Sequence, residues 1–289
     1  MKPLIVIIGE TASGKSSLAM EIAEKFNGEI INADSWSVYK NFNIGTAKPS
    51  KEERDKIKHH LLDIAEPLNG FSAAIYKRAA MKCIEEINNK NKLPILVGGT
   101  GLYVDSVLYD YSFLPPAPKY IRDKYNRMEL FELMKIINTE GFNTDNIDLN
   151  NKRRLIRLIE NKGVRPCSNK IRPNILILGI EISIEELELN IKNRVKSMIE
   201  KGLEFEVFNL AKLYSWEIEP MKGIGYREFK NYFEGEQTLV ETEALIIKDS
   251  LKLAKKQRTW FKRNNSTQWL NKKSNTIAIV TTFLNKLNK

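Results

Sequence analysis

Cysteine is almost missing: Cys83 and Cys167 stand far apart and form no CxxC pair. That excludes a disulfide framework and a cysteine-rich zinc site, and it suits a reducing compartment. Histidine is equally scarce. His59 and His60 are adjacent, with no other ligand at metal spacing nearby, so a structural role is expected of them rather than metal binding. Gly 15 and Pro 10 in 289 residues are too few for a collagen-like or low-complexity chain. No apolar run approaches the ~20 residues of a membrane span. The longest, Leu4 to Ile8, is too short for a signal peptide. A cytoplasmic protein without membrane contact is expected, and no tandem repeat is visible.

Acidic residues are missing from one place in particular. Residues 248–289 hold 11 Lys or Arg and one acid, Asp249, while residues 1–247 hold 35 bases and 35 acids. The whole net charge of +10 therefore sits in the last segment. Two readings stand: a solvated basic tail, or a surface for a polyanion whose phosphates release counterions on binding. The rest is ordinary: 42% hydrophobic and 28% charged residues suit one large or two modest globular domains.

Leu4-Ile-Val-Ile-Ile8 is β-branched without alternation, the pattern of a strand buried on both faces. A loop over 9–14 leads to a helix from Ser16 to Phe26. Strands are predicted at Glu29 to Asn32 and Leu93 to Val97, with a helix at Lys77 to Asn89 between them. Such alternation implies a parallel sheet with crossover connections. Leu114-Pro-Pro-Ala-Pro118 breaks the pattern and marks a domain boundary. Residues 119–165 read as mostly helical. Strand character returns at Asn174 to Ile182, and helices follow at Ile184 to Lys201, stopped by Gly202, and Thr238 to Lys262. The expected fold is α/β: a P-loop NTPase-like core of parallel sheet flanked by helices over 1–113 and 174–289, plus a small helical insert over 114–173.

Gly9-Glu-Thr-Ala-Ser-Gly14-Lys15-Ser16 fits the phosphate-binding loop in its required strand–loop–helix context. Backbone amides and the helix N-terminus cradle an anion. Lys15 adds a point charge, and the Ser16 hydroxyl is a candidate ligand for Mg²⁺. This proves phosphate binding and no more. A kinase or NTPase commonly carries an acid after a second apolar strand, but Ile95-Leu-Val97 runs into Gly98-Gly99-Thr100-Gly101. The nearest carboxylate is instead Asp34, at the end of the second predicted strand, with Thr100 a second polar candidate. Such a position faces the ligand crevice of an open sheet, although an aspartate there can simply form a turn. Trp260, Phe261 and Trp269 could stack on bases or pack on the core.

These motifs, taken together, resemble the tRNA dimethylallyltransferase family nearly end to end. The resemblance rests on the phosphate loop, Asp34-Ser35, Val38-Tyr39, Ile44-Gly-Thr-Ala-Lys-Pro49, His59-His-Leu-Leu-Asp-Ile64, Val97-Gly-Gly-Thr-Gly-Leu-Tyr103, Arg194-Val195, Glu206-Val207, Ile224-Gly-Tyr226 and Ala254-Lys-Lys-Gln257. It implies transfer of a dimethylallyl group from its diphosphate to N6 of the adenine 3′ of the anticodon. Thr11, Ala12, Ser13, Gly14, Lys15 and Ser16 would bind the donor diphosphate with Mg²⁺. Asp34 would be the base, Thr100 would orient the leaving group or the amine, and Lys15 and Arg194 would stabilise the leaving charge. Asp34, Ser35, Trp36, Ser37, Thr100, Arg122, Arg153, Arg154 and Arg157 would touch the anticodon stem-loop, and a monomer is expected. A nucleotide kinase or other phosphotransferase is the alternative. Two departures bear on the site. Glu10 replaces the family's proline and is expected to weaken diphosphate binding slightly, and Ser37 stands where glutamine is common. The insert is short and lacks the family's His-Pro-Asn-Asp lead-in before Arg153.

Overall fold

The computed structural model describes residues 2–145, 147–165, 170–271 and 274–287. Cys167, and Lys272, Lys273 and Lys289 of the basic segment, lie outside the described residues. The chain divides into two compact units, Met1–Leu108 with Arg172–Lys289, and Tyr109–Ile171.

The first unit opens with β1 (Leu4–Ile8), α1 (Lys15–Lys25), β2 (Gly28–Asn32), α2 (Lys51–Lys56), β3 (His59–His60), α3 (Ala73–Asn89), β4 (Leu93–Gly98) and α4 (Gly101–Leu108). The second unit holds α5 (Lys119–Arg127), α6 (Leu130–Thr139) and α7 (Lys152–Glu160). The first unit resumes with β5 (Ile175–Ile180), α8 (Ile184–Glu200), α9 (Leu203–Leu213), α10 (Phe229–Phe233), α11 (Leu239–Phe261), β6 (Thr267–Leu270) and α12 (Thr276–Leu287).

The six strands form one sheet in the order β3-β2-β4-β1-β5-β6, and every pairing is parallel. All five residues of β1 are buried, as the unbroken apolar run requires of a central strand covered on both faces. One layer of core joins Ile5, Ile7, Ile95 and Leu178 of the sheet to Ala19 and Ile22 of α1 and Val280 of α12. Another joins Val38 and Phe42 to Leu187, Ile191 and Val195 of α8, Val207 of α9 and Ile246 and Ala254 of α11. Leu133, Ile137, Leu155, Ile156 and Leu158 form a separate core in the second unit. That unit begins at Tyr109, ahead of the Leu114 boundary read from the prolines.

The basic segment corrects the solvated-tail reading. Its first part completes α11, β6 extends the sheet beside β5, and α12 buries Val280 fully against the sheet core. The charge pattern concealed this because lysines and arginines on an outer face say nothing of the apolar face beneath them. The aromatics pack too. Phe261 is buried, Trp260 donates from Nε1 to Asp105 Oδ2 at 2.9 Å, and Trp269 occupies the β6 register opposite Gly179. His60 pairs with the buried Glu29 at 2.7 Å on the sheet edge, where Lys92 reaches the same carboxylate at 2.9 Å.

Candidate functional site

The phosphate loop turns sharply between β1 and α1. Ala12 (φ 59) and Gly14 (φ 92) adopt left-handed conformations, which aim successive amides into one concavity. Gly14 tolerates that backbone because it has no Cβ, and it precedes the first residue of α1. Asn190 of α8 holds the outer rim, its side-chain amide donating to the Ala12 carbonyl at 3.2 Å. Ser13 Oγ is buried without a hydrogen-bond partner.

Across from the loop, β2 delivers Asp34 at its C-terminal end. Asp34 Oδ1 accepts the N–H groups of Trp36 at 2.8 Å and Ser37 at 3.3 Å. Asp34 is therefore a turn former through one oxygen, and the second oxygen of the carboxylate remains for other chemistry. Asn32 supports the turn by accepting the Asp34 N–H at 3.2 Å, and Tyr76 donates to the Asn32 carbonyl at 3.0 Å. The Thr100 hydroxyl accepts the Ser35 N–H at 3.0 Å and donates to Ser35 Oγ at 3.2 Å. It thus holds the Asp34-Ser35 turn.

A cavity of about 170 Å³ lies between these parts, lined by Thr11, Lys15, Ser16, Asp34, Trp36, Ser37 and Arg194. Its other walls include Val97, Ile191, Val195, Met198, Ile246 and Leu253. Cations, a carboxylate and aliphatic side chains lining one cavity fit a ligand that is part anion and part hydrocarbon. A second cavity lies against Ala12 to Ser17, Asn190, Asn193 and Arg194. Lys15, Ser16 and Arg194 border both.

The electrostatics favour an anion. Burial, and then the Arg194 charge, push the Lys15 ammonium down to about 7, against the pull of Asp34 and Glu10. Arg194 is itself held below the usual guanidinium range by burial, with Asp34 opposing. Two desolvated cations facing each other are relieved by bound negative charge.

Glu10 has a partner that the sequence did not suggest. Its side chain is buried and paired through both oxygens with Arg258 of α11, which offsets part of the charge that Lys15 feels. A residue 248 positions away in sequence supplies the partner, which no local pattern could reveal.

The Ile44 to Pro49 segment forms part of the wall through Gly45, Thr46, Ala47 and Pro49. Its shape comes from Glu206 of α9, whose carboxylate accepts the backbone N–H groups of Asn43 at 3.1 Å, Ile44 at 2.9 Å and Gly45 at 3.2 Å, and the Tyr226 hydroxyl at 2.7 Å. Gln257 of α11 likewise accepts the Thr11 N–H at 2.7 Å. Glu206 and Gln257 stood out in the sequence only as members of family motifs; their tasks were not readable, since each acts chiefly on backbone groups distant in sequence.

The arginines of the second unit sit within that unit. Arg122 binds Glu160 in a two-pronged pair, with Nε donating to Oε1 at 2.6 Å. Arg157 donates to the Leu114 carbonyl at 2.5 Å and to Glu160 at 3.3 Å. Arg153 and Arg154, at the start of α7, are exposed.

The sequence pattern of the IPP transferase family matches residues 37–264. A tRNA dimethylallyltransferase of Acetivibrio thermocellus is 40% identical over 292 aligned positions, covering 94% of this chain and 92% of that protein. A crystal structure of a tRNA delta(2)-isopentenylpyrophosphate transferase from Staphylococcus epidermidis is 33% identical with a TM-score of 0.74, covering 99% of both chains. A eukaryotic dimethylallyltransferase described as acting on tRNA is 25% identical with a TM-score of 0.78, covering 94% of this chain and 74% of that one.

Proposed function

The chain belongs to the IPP transferase family, and from that membership we propose that it transfers a dimethylallyl group from dimethylallyl diphosphate to N6 of the tRNA adenine 3′ of the anticodon, releasing pyrophosphate. One observation carries the reading beyond the family. The phosphate loop, Arg194, Asp34 and a set of aliphatic walls border a single cavity. Aliphatic walls beside the phosphate site suit a short hydrocarbon chain carried on a diphosphate.

In this mechanism Lys15, Arg194 and the loop amides hold the diphosphate. The C1–O bond of the donor breaks, and its electron pair leaves with pyrophosphate. The lone pair of N6 forms the new bond to C1. Asp34 takes the proton that N6 loses, through the oxygen not engaged by Trp36 and Ser37. Charge grows on the leaving group as the bond breaks, so pre-set cations stabilise the transition state more than the ground state. A positioned base contributes ~10²–10⁴-fold. The reacting amine must reach a half-buried carboxylate, so the adenine leaves its stack to enter the site. Thr100 serves by fixing the Asp34-Ser35 turn. Ser13, with its unpartnered hydroxyl, is a further donor for a diphosphate oxygen.

Mg²⁺ fits the donor set. Ser16 Oγ is a hard oxygen donor that borders the cavity beside the phosphate loop. Diphosphate oxygens and water would complete the ion's shell. When bound it would offset charge on the diphosphate.

For tRNA we propose, on the first unit, Asp34 to Ser37 at the cavity and the exposed lysines of α11 and its C-terminal end, and separately, on the second unit, the exposed Arg153 and Arg154 of α7. No helix among the described residues is long and apolar enough to cross a membrane. Incubating the protein with labelled dimethylallyl diphosphate and bulk tRNA, with ATP turnover followed in parallel, tests the proposal. Label in tRNA with pyrophosphate release and no ATP consumption is expected. Phosphoryl transfer from ATP with unlabelled tRNA would overturn it.

A further inference from the structure

Gln257 sits on α11 between the two loops that matter for chemistry, and it is 8% exposed. Its Oε1 accepts the N–H of Thr11 in the phosphate loop at 2.7 Å. Its Nε2 donates to the carbonyl of Gly99 at 3.0 Å. Gly99 precedes Thr100, whose hydroxyl holds Ser35 at 3.0 Å and whose N–H donates to the Ala33 carbonyl at 3.1 Å. One side-chain amide therefore spans from the phosphate loop to the loop that secures Asp34. We propose that Gln257 is a positioning residue, setting the separation between the donor's diphosphate and the Asp34 carboxylate by bridging Thr11 and Gly99.

Three features single it out. Only an amide supplies one acceptor and one donor at this spacing; a carboxylate would set a second acceptor against the Gly99 carbonyl. The fit is tight, because a Cβ on Gly99 would fall 2.2 Å from Gln257 Nε2. The next residue reinforces the attachment. Arg258 grips the Glu10 side chain and donates to the Ile182 carbonyl at 3.3 Å, so α11 holds two successive residues of the phosphate loop. Thr11 gives its N–H to Gln257 rather than to phosphate. Donor affinity then depends on the later loop residues, and the bridge acts on geometry.

The inference rests on the transferase reading, and its test separates the two. Single-turnover prenyl transfer, dimethylallyl diphosphate affinity and hydrogen exchange at the Thr11 amide are measured for the parent, Gln257→Met, Gly99→Ala and the double variant, with circular dichroism and thermal melts as folding controls. A parent without transfer to tRNA refutes the transferase reading, and a Thr11 amide that exchanges as fast in the parent as in Gln257→Met refutes the bridge whatever the reaction. In an active parent, each single change should lower the transfer rate by about 10²-fold, the scale of a small misplacement of reacting groups. Donor affinity should stay close to the parent's. Gly99→Ala should do so with Gln257 still present, because its methyl displaces the amide. The double variant should be no slower than the slower single one, since both break the same contact. Losses that multiply in the double variant, or that fall on donor affinity instead of rate, would overturn the positioning role. If Gln257→Met fails to fold, Gly99→Ala alone decides: a folded variant with the parent's rate sinks the proposal.

Discussion

Donor binding should carry the signature of a lysine that titrates near neutrality. Burial and Arg194 push Lys15 down to about 7 in the free protein. A bound diphosphate places opposite charge beside the ammonium and returns it toward the ordinary lysine value of ~10.4. The sign follows. The ligand prefers the protonated lysine, so its contribution is fully present well below pH 7, is halved at about pH 7 and weakens further as pH rises. Above the free-protein value, each binding event takes up close to one proton, and affinity drops about tenfold per pH unit until the bound-state value is reached. Between pH 7 and pH 9 the loss is about 50-fold, because half of the lysine is already neutral at pH 7. Calorimetric titration with dimethylallyl diphosphate over that range measures it, and buffers of different ionisation enthalpy report the proton directly. Lys15→Arg keeps its charge throughout and should bind with a flat profile. A parent whose affinity holds constant from pH 7 to 9, or a slope that survives in Lys15→Arg, would refute the argument.

Asp34→Asn should retain donor affinity and lose ~10²–10⁴-fold in single-turnover rate; a rate near the parent's at neutral pH would remove it from the base role. Lys255, Lys256 and Lys262 are exposed, so neutralising them together should weaken tRNA binding and lower the log–log salt slope by roughly 0.7–0.9 per lost phosphate contact. Arg258 and Arg263 are left out because Arg258 binds Glu10 and Arg263 lies over the Trp260 ring at 4.1 Å; an unchanged salt slope would make this face mere solvated surface. Burial would raise the Glu29 carboxyl, but Lys92, His60 and Lys90 outweigh it and bring it down to about 2. Its stabilising share is therefore present above the unfolded carboxylate range and is lost as pH falls through about 2. Glu29→Gln should cost about 3 kcal/mol in urea denaturation at pH 7 and much less at pH 2.5; an equal loss at both pH values would contradict this.

The sequence alone determined whatever is local along the chain. The β1 run, the phosphate loop and α1 are specified by residues within one stretch. The left-handed Gly14 and the buried Ile5 and Ile7 needed no distant partner to be anticipated. Asp34 was legible for the same reason, as the first carboxylate after a strand in an alternating pattern. The parallel sheet followed from that alternation, since parallel neighbours demand crossovers. The family motifs carried the reaction further than any single stretch could.

Tertiary structure decided whatever depends on side chains meeting backbone groups far away. Glu10 reads as a stray charge beside phosphates until α11 brings Arg258 to it. That Thr100 fastens the Asp34-Ser35 turn is visible only once Ser35, 65 positions away, lies against it. The tasks of Glu206 and Gln257 carry no local signature, because their partners are main-chain N–H and C=O groups that every residue has. The basic segment left a solvated tail and a polyanion surface both open, because charge dominates its composition. Its apolar face is revealed only when Val280 of α12 meets the sheet core. Periodicity and motif report the chain's conversation with its near neighbours and with water. The pairing of a buried carboxylate with an arginine 248 residues on is set by the packing of helices over the sheet, and only the folded chain displays it.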